Sequence, residues 1–517
     1  MADAIVKNLT FGNEARDNVF KGITKLTKAV SSTLGAGGKC VMLEDGGGNP
    51  LITKDGVTVA DSIILLDPVE NMGATLLKEA ARKTVKEAGD GTTTATVLAY
   101  AILEEAYSLK DSVSQRELKE GIETAVNKVV KILEKGSVKA EGDMLKQIAT
   151  ISTNNDPALG TIIAEAFEAV GEQGVVMMET TEDPETVTEI VDGVQYAKGL
   201  TNSNFVTNQH KRESELINPK VLLIESPVEN IRQIQTVLEY ILKTKKSLLI
   251  IADLDPKVLA ALAMNRMKGN IKVNVINAPT YGVGKKEVLT DLAMLTGATI
   301  INEDLGDDLE LIQPEHLGSC AKSVTTDEDT IIQVEDVSKE VLEAIENVRK
   351  ELKEKNTPYK VIQLEKRLAR LSAKVAIVKV GANSAIELKE KADRVEDAIC
   401  ATKAALKEGI VAGGGVALLN ASRNIKPTNE GEKILLEAIR APYLTVLKNA
   451  GIEYGGDLKD GYGIDVVTGE TVSMVKEGII DPLLVTKSAL RNAASVAATI
   501  LSTDCVINNL RVNEGNR

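Results

Sequence analysis

The chain has 517 residues, with 61 Lys and Arg against 75 Asp and Glu, a net charge of −14. That acidity excludes a general nucleic-acid binder, which needs a basic surface. With two His and no Trp, there is little room for a His-based metal site or a Ser-His-Asp triad, so chemistry here runs on carboxylates, hydroxyls, Lys and backbone amides.

The length suggests about three domains, and with 3% aromatics the core must be built from Val, Ile, Leu and Ala. Cys40, Cys320, Cys400 and Cys505 are far apart, with no Cys-x-x-Cys pair. They read as reduced, small buried side chains in a reducing compartment. Met1 to Asn18 lacks the apolar core of a signal peptide, and no apolar run approaches the roughly 18–20 residues of a membrane span. The expectation is a soluble, cytoplasmic protein without membrane or nucleic-acid partners.

To about residue 135 the pattern is helical. Val19, Ile23, Leu26 and Val30 recur at helical spacing up to Leu34-Gly35. A Gly-rich turn at Gly46 to Gly48 precedes a short strand, Leu51-Ile52-Thr53, which enters Lys54-Asp55-Gly56. Helices over Leu76 to Ala88 and from Thr92 onward flank the turn Gly89-Asp90-Gly91. From about 190 to 373, strands such as Val221 to Ile224 and Leu248 to Ile251 alternate with helices at Ile231 to Leu242 and Lys257 to Met267, an α/β texture. A helical hairpin, Ser338 to Lys355 and Tyr359 to Lys374, closes this stretch. From about 408 the helices and Gly-rich turns of the first stretch return. Like ends around an unlike middle read as one domain inserted into another.

The sharpest segment is Ala88 to Leu98, Ala-Gly-Asp-Gly-Thr-Thr-Thr-Ala-Thr-Val-Leu. Its glycines allow a tight turn, and three Thr at a helix start present hydroxyls and free N–H groups to one point, a phosphate cradle. Asp90 would repel phosphate unless a cation lay between them, which points to Mg²⁺. The same residues also suit a plain capped helix. Thr33 to Lys39 could bring backbone amides to a nucleotide or simply end a helix; it lacks the spacing of a Walker loop. Lys54-Asp55-Gly56 could be a site or an ordinary turn. Val411 to Ala417 is a third Gly-rich turn, and Asp397 lies upstream on a charged helix. Gly282 to Lys286 reads as a loop, and His210 and His316 as exposed residues.

Together these segments, in order and approximate spacing, resemble group I chaperonins, the GroEL family. Thr150-Ile151-Ser152, Arg394 to Ala398 and Gly478 to Pro482 join them, and the resemblance runs nearly end to end. It implies a multidomain α and α/β fold: a helical equatorial domain (1–135 and 408–517), a small intermediate hinge domain (136–191 and 374–407) and an inserted α/β apical domain (192–373). It also implies heptameric rings, one or two, around a cavity for unfolded chains, closed by a GroES-type co-chaperonin lid. ATP, Mg²⁺ and K⁺ are the implied cofactors. Residues matching the family's nucleotide site are Thr33, Leu34, Gly35 and Ala36 (where Pro is usual), Lys54, the Mg²⁺ ligand Asp90, the phosphate cradle Gly91, Thr92, Thr93 and Thr94, and the purine and ribose contacts Gly414, Asp465 and Asp481. Asp397 matches the carboxylate that positions the attacking water, with Asp55 assisting. Leu200, Phe205, Leu238, Leu259 and Met264 match an apolar substrate groove between two apical helices, which Ile234 and Ile241 widen; by pattern alone these are also core stripes.

Several departures stand out. Asn204, Gln235 and Ala263 replace more apolar groove residues. Ala385 replaces the usual Glu partner of Lys198. The segment Ile452 to Gly461 is shorter than the family pattern, and the sequence closes on Glu514-Gly515-Asn516-Arg517 rather than a Gly-Gly-Met tail. The resulting expectation is an ATP-driven folding chaperonin. The alternative is a ring scaffold or holdase of the same fold with weak ATPase and single-ring assembly.

Overall fold

The computed structural model describes residues 7–509, apart from 45–47, 49, 110–112, 154, 172–174, 197, 210, 279–282, 335–337, most of 354–373, 454, 455 and 457. The chain divides into two units: Met1–Glu165, Met178–Val187 and Lys379–Arg517 form the first, and Ala166–Met177 with Thr188–Val378 the second. The residues expected as a hinge domain are shared between the two in this division.

The first unit is a helical bundle. Helix Gly12–Ser31 buries Ala15, Val19, Ile23, Leu26 and Val30, a stripe repeating every three to four residues. It packs on helix Pro68–Ala88, whose start is capped by Asp67 through the Val69 and Glu70 N–H groups. The two backbones touch. A Cβ at Gly22 would lie 1.8 Å from the Glu70 carbonyl oxygen, and one at Gly73 would lie 2.2 Å from that of Val19. Helix Leu483–Leu501 is buried along most of its length. Its Ala489, Ala493 and Ala497 belong to the same core as Leu77, Leu98 and Ile102, so helices Pro68–Ala88 and Thr92–Ser108 can press close against it. Small residues thus make up for the scarcity of aromatics.

Small two-stranded antiparallel sheets complete this unit, among them the following two. Lys7–Phe11 pairs with Cys505–Asn509, and Val41–Glu44 with Pro50–Thr53.

In the second unit a parallel sheet runs Ile300–Ile301, Lys220–Ile224, Ser247–Ile251, Lys272–Ile276. Its strands are continuous apolar runs because both faces are covered. Alternation sorts them. Leu222, Ile224, Leu248 and Ile250 face the helices Gln235–Thr244 and Pro256–Met267. Val221, Leu223, Leu249 and Ile251 face helix Val283–Thr296 and residues Val194, Leu216 and Ile332 of a second sheet. That second sheet is antiparallel through Val187–Tyr196, Thr330–Val334, Lys322–Thr325 and Ser214–Ile217.

Several sequence expectations need correction. Phe205 and Ile234 are 0% and 1% exposed, and Ile241 and Ala263 are equally buried. They belong to the core under the sheet, because the inward face of helix Gln235–Thr244 is the one spaced Ile234, Val237, Ile241. They are therefore not groove surface. Val283 to Lys286 is not a loop but opens helix Val283–Thr296, where Val288, Leu289 and Leu292 supply the buried stripe; Gly282 lies outside the described residues. Cys40 is exposed rather than buried. His316 is half-buried in a 3₁₀ turn, and its Nδ1 accepts the Gln313 N–H at 3.2 Å. His210, the Gly46–Gly48 turn except Gly48, most of the Tyr359–Lys374 helix and the last four residues lie outside the described residues.

The backbone contact gives a stability test. Gly73→Val should lower the unfolding free energy of the first unit by about 3 kcal/mol, because a carbonyl on a rigid neighbouring helix cannot move aside. The adjacent exposed Met72→Val should change it by less than about 0.5 kcal/mol. Urea denaturation followed by circular dichroism checks both; wild-type stability for Gly73→Val would refute the close approach.

Candidate functional site

Every nucleotide-site residue expected from the sequence lies in the first unit. Helix Thr92–Ser108 starts at Gly91, which is left-handed at φ 91° and offers no side-chain cap. Its first intrahelical bond runs from the Ala95 N–H to the Gly91 carbonyl. The N–H groups of Thr92, Thr93 and Thr94 therefore point out of the helix start with no capping side chain, at the positive end of its dipole. A phosphate suits that place.

Three turns close around this helix start. A Cβ at Gly56 would lie 2.3 Å from Thr93 Oγ1 and 2.8 Å from Thr92 Oγ1, so the Lys54-Asp55-Gly56 turn rests directly on the threonines. Asp55 caps helix Gly56–Ser62, accepting the Val57 N–H at 3.1 Å and the Thr58 N–H at 2.7 Å. Those bonds fix the carboxylate's orientation. The first loop arrives through Thr33, whose Oγ1 is 3.3 Å from Thr93 Oγ1, and Lys54 Nζ donates to the Gly35 carbonyl at 3.1 Å. Burial lowers the Lys54 pKa, and the nearby Cys40 opposes that shift. Leu34 is half-buried and Ala36 exposed.

Asp397 arrives on helix Ala385–Glu408, which buries Val395, Ala398, Ala401 and Ala405. One turn further on, Cys400 fixes its height. A Cβ at Gly89 would lie 2.4 Å from Cys400 Cβ, so the helix sits down on the Gly89-Asp90-Gly91 turn. The third Gly-rich turn completes the enclosure. Strand Ile410–Ala412 pairs with Ile480–Pro482, and the Gly414 and Gly415 N–H groups donate to the Asp481 carboxylate.

The result is a crowd of carboxylates. Asp90, Asp397 and Asp481 are half-buried by exposed area, yet so enclosed by protein atoms that loss of water dominates their titration. Burial raises Asp90, with the Asp55 charge adding to it and the Gly91 N–H opposing. Burial raises Asp397 well above the carboxylate range, with the charges of Asp90 and Asp55 adding to it. Burial pushes Asp481 up to about 6, Asp90 adding and the Gly415 and Gly414 N–H groups opposing. Such a group calls for a cation. Among the described residues no three His, Cys, Asp or Glu form a ready-made metal cage.

Asp465 is held by its own turn. Its carboxylate accepts the Val467 N–H and the Thr468 hydroxyl, both at 2.9 Å, within its own turn between Tyr462–Ile464 and Thr471–Ser473. Two contributors were not singled out from the sequence. Cys400 showed no spacing signal. Asn449, whose Nδ2 donates to the Ser31 and Leu34 carbonyls at 2.8 and 2.9 Å, latches the first loop from 415 residues away in the chain.

Residues 26–511 match the model of the TCP-1/cpn60 chaperonin family, and the chain belongs to that family. Its fold is similar to that of the chaperonin gp146 from bacteriophage EL 2 (Pseudomonas aeruginosa), solved in the presence of ATP-BeFx. In crystal form II the match is 21% identical with a TM-score of 0.72, covering 97% of this chain and 99% of that one. In crystal form I the TM-score is 0.64, at the same identity and coverage. The multidomain α and α/β chaperonin fold expected from the sequence is thus present. Among the described residues no helix is long and apolar enough to cross a membrane.

The raised carboxylates set the direction of a pH effect. A folded-state pKa above the unfolded value contributes stability that is complete below the unfolded pKa and lost as pH rises through the folded one. In metal-free buffer the first unit should therefore lose stability between about pH 4 and 7. The Asp481 part is at most roughly 3 kcal/mol, from a pKa of about 6 against 3.8. Urea denaturation at pH 5 and 7.5 measures it. Asp397→Asn should flatten the dependence, and an equally steep fall in that variant would contradict the mutual repulsion.

Proposed function

We propose that this protein is an ATP-driven chaperonin, which hydrolyses ATP at the first-unit site and captures unfolded proteins on the second. The observation carrying the reading is the convergence of Asp55, Asp90, Asp397 and Asp481 on an uncapped, threonine-lined helix start. Family membership supports it, as does the ATP-BeFx present with the phage chaperonin of the same fold.

In this reading the Thr92, Thr93 and Thr94 N–H groups and hydroxyls hold the terminal phosphates, with Gly91 leaving room for them. Lys54 adds positive charge beside the first loop, Thr33 to Ala36. Gly414 and Asp481 receive the sugar and base, and Asp465 completes that edge. Mg²⁺, held by Asp90 when bound, neutralises phosphate and carboxylate charge. Asp397 orients the attacking water and accepts its proton, and its raised pKa suits a base. Asp55, oriented by two backbone N–H groups, supports the water from the other side. The water oxygen bonds to the γ-phosphorus as the bond to the β-bridging oxygen breaks, releasing ADP and phosphate. K⁺ as an additional cofactor rests on the family resemblance alone.

Capture is assigned to Leu200, Leu238, Leu259 and Met264, half-buried or exposed beside helices Gln235–Thr244 and Pro256–Met267. Ring formation is proposed through two of the small sheets of the first unit, Lys7–Phe11 with Cys505–Asn509 and Val41–Glu44 with Pro50–Thr53. Leu9, Phe11 and Ile507 are exposed on one, Met42 and Ile52 on the other. Open strand edges bearing apolar side chains are natural pairing surfaces. A heptameric ring, single or double, in the cytoplasm with a GroES-type lid is the assembly this reading implies.

Two outcomes follow. Asp397→Ala should cut Mg²⁺-dependent ATP turnover at least about 100-fold while ATP affinity stays within about threefold. A wild type no faster than this variant would leave a ring scaffold instead of an ATPase. Met42→Asp with Ile52→Asp should shift the protein from rings to single chains by light scattering and negative-stain imaging. An unchanged mass would remove these edges from the ring contact.

A further inference from the structure

Helix Pro256–Met267 presents two different faces. Val258, Leu262 and Ala263 enter the core, whereas Ala260, Met264 and Met267 point outward at spacings of four and three. Met264 and Met267 are 57% and 63% exposed. These three, with Asn202, Asn204 and Lys268, line a cavity of about 460 Å³. It opens between this helix and the 3₁₀ turn Ser203–Phe205, not between the two helices that the sequence reading paired.

The floor of this cavity is apolar and adaptable, because thioether side chains repack around varied shapes. Its rim is polar and carries one sign of charge. The Asn202 side chain accepts the Asn204 N–H at 2.9 Å, which turns the Asn204 segment toward solvent. Among the described residues the Lys268 ammonium makes no ion pair and the Asn204 carboxamide no side-chain hydrogen bond. The stretch of chain that contains this helix has the same sign. From Ile231 to Lys272 the chain has eight basic residues (Arg232, Lys243, Lys245, Lys246, Lys257, Arg266, Lys268, Lys272) against three acidic ones (Glu239, Asp253, Asp255), 8 − 3 = +5 in a chain of −14.

We infer that this cavity selects unfolded segments in which an apolar side chain stands beside an Asp or Glu. The apolar group fills the methionine floor, and the carboxylate meets the Lys268 ammonium and the Asn204 amide. Like charge at the rim disfavours the corresponding Lys-bearing segment, so charge sets specificity where the methionines set affinity. The inference rests on the capture role proposed above and names which chains it favours.

Fluorescence anisotropy on the full protein, with three blocked 12-residue peptides sharing the same Leu pattern and carrying Glu, Gln or Lys, tests it. N-acetylated, C-amidated peptides remove terminal charge. The Glu peptide should bind about fivefold tighter than the Lys peptide at low salt, the gap closing near 0.5 M salt as the charges are screened. Lys268→Glu should reverse the order and leave the Gln peptide within twofold. Met264→Ser with Met267→Ser should weaken all three alike. Equal affinities for the Glu and Lys peptides, or an order untouched by Lys268→Glu, would overturn this inference alone. Failure of every peptide to bind the wild type would overturn the capture role and this inference with it.

Discussion

The first unit is organised around an unfavourable electrostatic arrangement. Loss of water raises the pKa values of Asp90, Asp397 and Asp481, and charge adds to it: that of Asp55 acts on Asp90 and Asp397, and that of Asp90 on Asp397 and Asp481. Left alone, that crowding destabilises the fold. It persists because the surrounding backbone is over-determined: Gly56 against the threonine hydroxyls, Gly89 against Cys400 and Gly413 against Ile480 are all positions where a Cβ would collide. Strain of this kind is held by structure elsewhere. Here the holding is done by helices whose backbones meet at Gly22 and Gly73, and by the alanine-rich helix Leu483–Leu501 at the centre of the core.

The same logic explains why aromatics are scarce. Among the described residues two aromatic contacts stand out, Phe20 stacked on Tyr100 and edge-on to Tyr107. A bundle that must bring three separate turns to one helix start is better served by Ala and Gly, which let elements approach and fix height, than by large rings that hold them apart. The second unit solves a different problem. Its parallel strands bury both faces, so its helices can spend only one face on the core and leave the other for recognition. Helix Pro256–Met267 shows this division, with Ala263 inward and Met264 outward in adjacent positions.

Much of the fold was legible in the sequence because its signals are local and periodic. The Val19-Ile23-Leu26-Val30 stripe, the Gly89-Asp90-Gly91 turn and the strands at Val221 and Leu248 all formed near their expected places. The site was legible as a set of turns, and the structure brings most of them together. Where the reading failed, tertiary context decided. Phe205 and Ile234 have the composition of surface anchors or of core alike, and only the position of the sheet beneath them settles the matter. Cys400 and Asn449 carry no pattern that points to Gly89 or Leu34. Lys268 likewise carries no sequence signal, and only the cavity beside it defines its neighbours.

The central claim is that the crowded carboxylates hold protons that a bound cation displaces. Isothermal titration calorimetry of Mg²⁺ premixed with a non-hydrolysable ATP analogue, at pH 6.5 in buffers of different ionisation enthalpy, counts those protons directly. The account predicts net proton release, reduced in the Asp397→Asn protein. Binding without proton release, or with proton uptake, would contradict it.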